Sequence, residues 1–241
     1  MGDAKQLELR PIPARVANEL VRRLHYSGSV VRNSQLHIGV FLAGELLGAM
    51  QYGPPMDRRK LLHLVPGTRW AGLVELNRMA FADELPRNSE SRALAVAARL
   101  IRRDSPHVDV IVSFADAAQC GDGTIYRAAG FALTGITTSR NLARLPDGST
   151  VHKLRYEGSG GGLPRPEFGG RSYFDVTGGR YAFAKAIAAA GGEILAGHQL
   201  RYMQFLTPQA RARLTVDEIP YTELRRRGIV MSRGVGRAPE A

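Results

Sequence analysis

The chain is poor in the residues that mark several large classes of protein. A single cysteine, Cys120, occurs in 241 residues. That excludes an internal disulfide and a thiolate zinc cage, and makes a reducing cytoplasm the expected setting. No apolar run reaches the roughly 18 residues of a membrane span. The opening MGDAKQLELRP has no apolar h-region, so no secretory signal is expected. H-x-H and E-x-x-H spacings are missing, as are those of a helix-turn-helix or a zinc finger. Internal repeats are missing too. Apolar residues make up 44% and charged residues 23%, the balance of a soluble globular chain.

Acidic charge is scarce as well. The 33 Lys and Arg oppose 22 Asp and Glu, for a net charge of +11. Residues 1–157 carry 21 basic and 15 acidic side chains, and residues 158–241 carry 12 and 7. The excess therefore belongs to the whole surface and not to a tail. It favours a polyanionic partner, most often nucleic acid. Arginine far outnumbers lysine, which an Arg-favouring genome also produces, so charge alone leaves the partner open.

Hydrophobic spacing supplies the elements. Pro13–Leu24 sets Val16, Leu20 and Leu24 on one face of a helix. Gln35–Leu42 and Glu45–Tyr52 read as strands about the turn pair Ala43-Gly44. Leu73–Phe81 is a further strand. A helix over Ser89–Arg102, capped by Asn88 or Ser89, places Leu94, Ala97, Ala98 and Ile101 together. Thr150–Tyr156 is a partner for the strand after Gly130. Gly158–Gly170 is a Gly/Pro-rich break. Beyond it Arg180–Ala190 reads as a helix and Arg201–Leu206 as a strand, with a frayed end from Ser232. The expected organisation is a core of residues 1–157 with a segment 158–241 packed on it, one domain overall. The expected class is mixed α/β with parallel central strands.

One stretch carries chemistry: Ser113–Phe131, SFADAAQCGDGTIYRAAGF. A buried strand over Val108–Ala115 ends at Asp116, and a polar loop follows. A short helix over Thr124–Ala129 stops at Gly130, and Phe131–Ile136 opens another strand. Asp116 thus stands at the carboxyl end of a strand and Tyr126 one turn into the next helix, where α/β folds bind ligands. Asp116 serves equally to close the strand in an Asx turn, and Tyr126 as a packed phenol.

The order of elements, with Tyr126-Arg127-Ala128-Ala129-Gly130-Phe131 closing the block, resembles the GNAT acyltransferase superfamily. Four separated segments narrow the likeness: LHYSGSVVRNSQLHIGVF (Leu24–Phe41), MQYGPPMDRRKL (Met50–Leu61), ELNRMAFADELPRNSESRA (Glu75–Ala93) and the Ser113–Phe131 block. Together they resemble the Mom family of transposable bacteriophages. That resemblance implies a GNAT-like sheet with splayed central parallel strands. It implies an enzyme that converts adenine in double-stranded DNA to N6-carbamoylmethyl (acetamido) adenine and so shields the DNA from host restriction. The target base would be extruded, because a stacked amine cannot enter a pocket.

The resemblance also assigns roles. The donor loop of the superfamily, Arg/Gln-x-x-Gly-x-Gly/Ala at a helix N-terminus, corresponds to Asn88-x-x-Ser91-x-Ala93. Asn88 and Ser91 depart from the pattern, and Arg78 with Arg87 would restore positive charge for a donor pyrophosphate. Tyr126 stands where these enzymes protonate a leaving group, and a phenol of pKa about 10 can donate without ionising first. Asp116 would accept a proton from the adenine amine. His25 and Tyr26 follow the first helix on the acceptor side, to stack on a base or relay a proton. With Asp116 they would also form an N/O ligand set that suits iron, Fe2+, more than zinc. The donor is acetyl-CoA or a glycyl carrier such as an aminoacyl-tRNA. Two other readings stand beside this one: an acetyl-CoA-dependent N-acetyltransferase of a small amine or protein, and a non-catalytic DNA-binding accessory protein. Cys120 has no His or Asp beside it in sequence and is not expected to be a catalytic thiol.

Overall fold

The computed structural model describes residues 4–25, 27–117, 122–157 and 161–229. Strand β1 is Glu8–Pro11, β2 Leu36–Leu42, β3 Glu45–Gly53, β4 Leu73–Phe81, β5 Val110–Asp116, β6 Ala132–Arg144, β7 Thr150–His152 and β8 Glu193–Phe205. They form a mixed sheet in the order β1-β2-β3-β4-β5-β8-β6-β7. Two compact units divide the described chain. The first holds residues 4–115, 122–135 and 200–229, and the second residues 116–117 and 136–199.

In the first unit β1 to β4 are antiparallel neighbours. The β2–β3 turn has two residues, Ala43 at φ 50° and Gly44 at φ 83°. That is the left-handed pair a tight hairpin turn demands. Helix α1 (Ala14–Leu24) buries Ala17 and Leu20 against Ala49 of β3. Helix α3 (Ser89–Asp104) buries Ala93, Leu94, Ala97, Ala98 and Ile101, the stripe expected from its spacing. Between β3 and β4 lies the short α2 (Arg58–Leu62), whose N-cap Asp57 accepts a bond from the Lys60 N–H. Leu61, Val65, Leu73, Val110, Val112, Met203 and Ala210 make a common core. The first unit also holds α4 (Thr124–Ala128), α7 (Pro208–Ala212) and α8 (Tyr221–Arg226).

The second unit has its own aromatic core. Tyr156, Phe168, Tyr173 and Phe183 pack with Leu145, Val151 and Ile187, around α5 (Tyr173–Thr177) and α6 (Phe183–Ala189). Thr150–His152 pairs with Leu142–Arg144 of β6, the first part of the expected partner Thr150–Tyr156; Lys153–Arg155 turns away in a 3-10 helix. Ser172 and Asp175 cap α5 reciprocally, side chain to backbone in both directions. Within residues 158–170, a short 3-10 turn at Pro166–Phe168 is the regular element among the described residues. No helix among the described residues is long and apolar enough to cross a membrane.

Candidate functional site

The central parallel strands part. Leu73–Glu75 of β4 pair with Val110–Val112 of β5 and the ladder stops there. Each strand then runs on, β4 to Phe81 and β5 to Asp116. The strands open toward their carboxyl ends, the place where α/β sheets take ligands. Next to the opening β4 carries a bulge. Gln51 faces Arg78 and Tyr52 faces Leu76, which leaves Asn77 without a partner residue on β3. A bulge turns one side chain out of the pleat. Here the buried Asn77 uses Oδ1 to accept a bond from the Ser34 hydroxyl at 3.0 Å.

Tyr126 sits on α4, held at both ends. At its start the Asp122 carboxylate accepts bonds from the Thr124 N–H at 3.0 Å and hydroxyl at 2.6 Å. At its end Gly130 adopts φ 89° while the Phe131 N–H returns to the Tyr126 carbonyl, the turn that stops a helix. The ring is 7% exposed. It stacks on Tyr202 at 4.9 Å and meets the edge of Phe131 at 5.4 Å. Its phenol oxygen accepts a bond from Ser113 on β5 at 3.0 Å. Tyr202 donates to the Asp122 carbonyl. Gly123, at φ 70°, lies against the Tyr202 ring where a Cβ would collide with it. The buried Tyr52 is near enough for Tyr126 to add to the burial that raises its phenol pKa. Ser113, Tyr52 and Tyr202 escape a reading of the sequence. Ser113 leaves one trace, a polar residue inside the apolar run Val110–Ala115.

His25 and Arg78 are brought together. His25 follows α1 and is buried, 9% exposed. Its Nδ1 accepts the Ser27 N–H at 3.1 Å and lies 2.8 Å from the Ser27 hydroxyl. Burial, then the positive charge of Arg78, lower its pKa to about 4. The imidazole is therefore neutral at physiological pH and a weak base, and with Nδ1 taken by the Ser27 N–H its one ring proton sits on Nε2. Arg78 is tied down: Nε donates to the Ser29 carbonyl at 2.9 Å and an Nη to the Asn77 carbonyl at 2.7 Å. Glu75, two residues before the bulge, has its carboxyl pKa raised by burial. The Met56 backbone, Arg78 and Asn77 oppose that shift.

The loop matched to the donor site begins α3. Asn88 is left-handed at φ 71° and makes no side-chain cap. Asn tolerates that region better than most residues. The Ser89 hydroxyl donates to the Pro86 carbonyl at 2.6 Å and the Ser91 hydroxyl to the Asn88 carbonyl at 3.1 Å. Neither serine spends its oxygen on the first N–H groups of the helix, and those groups with the dipole suit an anion. Glu90 in the same turn competes for that field.

Asp116 is the last residue of β5, half-buried, at the strand end where the sequence puts it. Tyr26 and Cys120 lie outside the described residues. Nothing among the described residues supports the iron set expected from His25, Tyr26 and Asp116, of which Tyr26 lies outside them. No three His, Cys, Asp or Glu side chains gather among the described residues. The charge beside His25 is a guanidinium, which repels a cation.

The profile of the Mom protein family matches residues 6–223. The methylcarbamoylase Mom of Escherichia phage Mu is 34% identical over 212 residues, 88% of this chain and 80% of that protein. Among solved structures, the spermidine/spermine N-acetyltransferase of Vibrio cholerae superposes with a TM-score of 0.45 at 12% identity, covering 87% of this chain and 98% of its own. An aminoglycoside acetyltransferase solved with coenzyme A and kanamycin gives 0.40 at 15% identity, covering 63% and 97%. With the family profile matched over residues 6–223, the chain belongs to the Mom protein family.

Proposed function

We propose that this Mom family transferase converts adenine in double-stranded DNA to N6-carbamoylmethyl adenine, and that the product shields the DNA from host restriction. The observation that carries the reading is the likeness to the phage Mu methylcarbamoylase across 88% of the chain. The site supports it. Asp116 would take the proton that the adenine amine sheds as its new N–C bond forms. Tyr126 would return a proton to the leaving group of an acyl-type donor. The start of α3, with Arg78 and Arg87, would receive the anionic part of the donor; a glycyl carrier such as an aminoacyl-tRNA balances the reaction, since the N6–C(O) bond forms as the carrier's ester C–O bond breaks and the glycyl adduct is an isomer of the carbamoylmethyl product, whereas acetyl-CoA carries no nitrogen and would give N6-acetyl adenine. His25 and Tyr26 would line the acceptor side, where neutral His25 donates a hydrogen bond from Nε2 or stacks on the base. Positioning matters because the exocyclic amine shares its lone pair with the ring and is a weak nucleophile.

Nucleoside mass spectrometry tests the reading. Plasmid DNA from cells expressing the protein is expected to contain a deoxyadenosine heavier by a two-carbon amide. A glycyl adduct has the same added mass, so base hydrolysis follows. Carbamoylmethyl adenine yields carboxymethyl adenine, whereas a glycyl amide releases glycine and adenine. Unmodified deoxyadenosine in the presence of abundant folded protein rejects the proposal.

A second expectation follows from the charge of +11. Duplex DNA is expected to bind tightly at low salt and to be released as salt rises, because each neutralised phosphate frees a counterion. Fluorescence anisotropy should give a steep negative slope of log K against log salt. A flat slope would remove the phosphate contacts from the account.

A further inference from the structure

Trp70 is the single tryptophan of the chain, and it stands in the open. It is 56% exposed and lines a groove of about 720 Å3 together with Met56, which is 95% exposed. Two large apolar side chains left to water in one groove mark a contact surface. The groove also carries cations. The Arg58 guanidinium lies 4.8 Å over the Trp70 ring, and its Nε is buried with no hydrogen-bond partner among the described residues. Arg59 and His107 line the same space. The one carboxylate in the lining, Asp57, is already paired with Lys60 at 2.7 Å.

The groove is distinct from the opening between the strands. Val74 and Val108 place it at the amino ends of β4 and β5, whereas the strands part at their carboxyl ends. It nevertheless adjoins the Asn77 bulge, one residue before Arg78. Its wall residue Gly53 packs so closely that a Cβ there would lie 2.6 Å from the Asn77 Oδ1. The backbone of Met56 is bonded to Glu75. An aromatic face beside guanidinium groups that form no ion pair among the described residues is the surface chemistry that holds a nucleic-acid strand, phosphate on arginine and base on ring.

We propose that this groove holds the DNA beside the target base, with Arg58 and Arg59 on phosphates and Trp70 stacked on a base exposed when the duplex opens. The proposal rests on the DNA reading above and adds the surface that would serve it. Because Trp70 is unique, the intrinsic tryptophan emission of the full chain reports on this groove alone. Titration with a duplex carrying one mismatched adenine is expected to quench it saturably, in step with anisotropy. Trp70→Ala is expected to weaken binding about 5- to 150-fold, the usual loss of one base stack. The double variant Arg58→Ala/Arg59→Ala is expected to lower the salt slope by about 2. If anisotropy shows binding while emission does not change and the variants bind as the parent does, the groove is overturned and the DNA reading stands. If the parent protein does not bind DNA at low salt, the DNA reading itself fails, and the groove with it. Should Trp70→Ala not fold, emission of the parent protein still decides.

Discussion

Tyr126→Phe is expected to keep the fold and to lower the rate of DNA modification by about 10²–10⁴-fold, the usual loss of one positioned proton-transfer group. The ring is what packs: it stacks on Tyr202 and meets Phe131. Phe preserves both contacts. What is lost is the phenol oxygen, with its bond from Ser113. Leaving that buried donor without an acceptor costs on the order of 1–3 kcal/mol, so a modest fall in Tm should accompany the loss of activity. Ser113→Ala serves as the comparison. It removes the neighbour that positions the phenol and retains the acid, so its rate is expected to fall between the parent and Tyr126→Phe. The readouts are modified deoxyadenosine per unit of time in cell-free assay and a thermal melt on the same sample. Parental rates in Tyr126→Phe would move the acid elsewhere in the fold.

The contrast between Asp116 and Ser113 shows how far a sequence speaks here. Asp116 is legible because it ends a continuous run of apolar residues, which reads as a buried strand. Tyr126 is legible as well, since Asp122 and Gly130 punctuate its helix on either side. The partners of Tyr126 are not. Tyr202 is 76 positions away, and nothing in Arg201–Leu206 tells which of its side chains turns inward or what it meets. The Asn77 bulge is equally silent, because an unbroken Leu73–Phe81 strand and a bulged one share one pattern; the extra residue appears only in the register with β3. The strands β6 and β8 are each 13 residues long, against the six expected. The first residues added to β6, Thr137–Arg140, are polar and lack a clean alternation. Within the expected parts Arg201 ties β8 to β6: its Nε donates to the Thr134 hydroxyl at 3.0 Å, and Gly135 leaves room for its guanidinium. Strand β1 is missed because Pro11 lies in it. An edge position tolerates proline, and Arg10 covers the Phe41 ring of the neighbouring strand at 4.0 Å.

Lowering the pH from 7 to 4 is expected to cost the fold about 3 kcal/mol through His25 alone. Burial and the Arg78 charge hold its pKa at about 4 in the folded protein, against 6.5 for an unperturbed imidazole. Above pH 6.5 the group is neutral in both states and makes no pH-dependent contribution. Below 6.5 the unfolded chain takes up a proton that the folded protein refuses, so stability falls as the pH falls. The loss levels off near pH 4, where the folded imidazole also charges. Glu75 acts in the opposite direction over part of this range, since burial raises its carboxyl pKa and protonation relieves the cost of keeping it charged. The comparison must therefore be with His25→Gln. That variant keeps an acceptor for the Ser27 N–H and removes the titration. Urea melts of parent and variant at pH 7, 6, 5 and 4 separate the two contributions. The parent should lose more stability than the variant in each step down from pH 6.5 to 4, with no difference in slope above. Superimposable profiles would show that His25 is accessible to protons in the folded state. In that case the neutral imidazole assigned to the acceptor side would have to be given up.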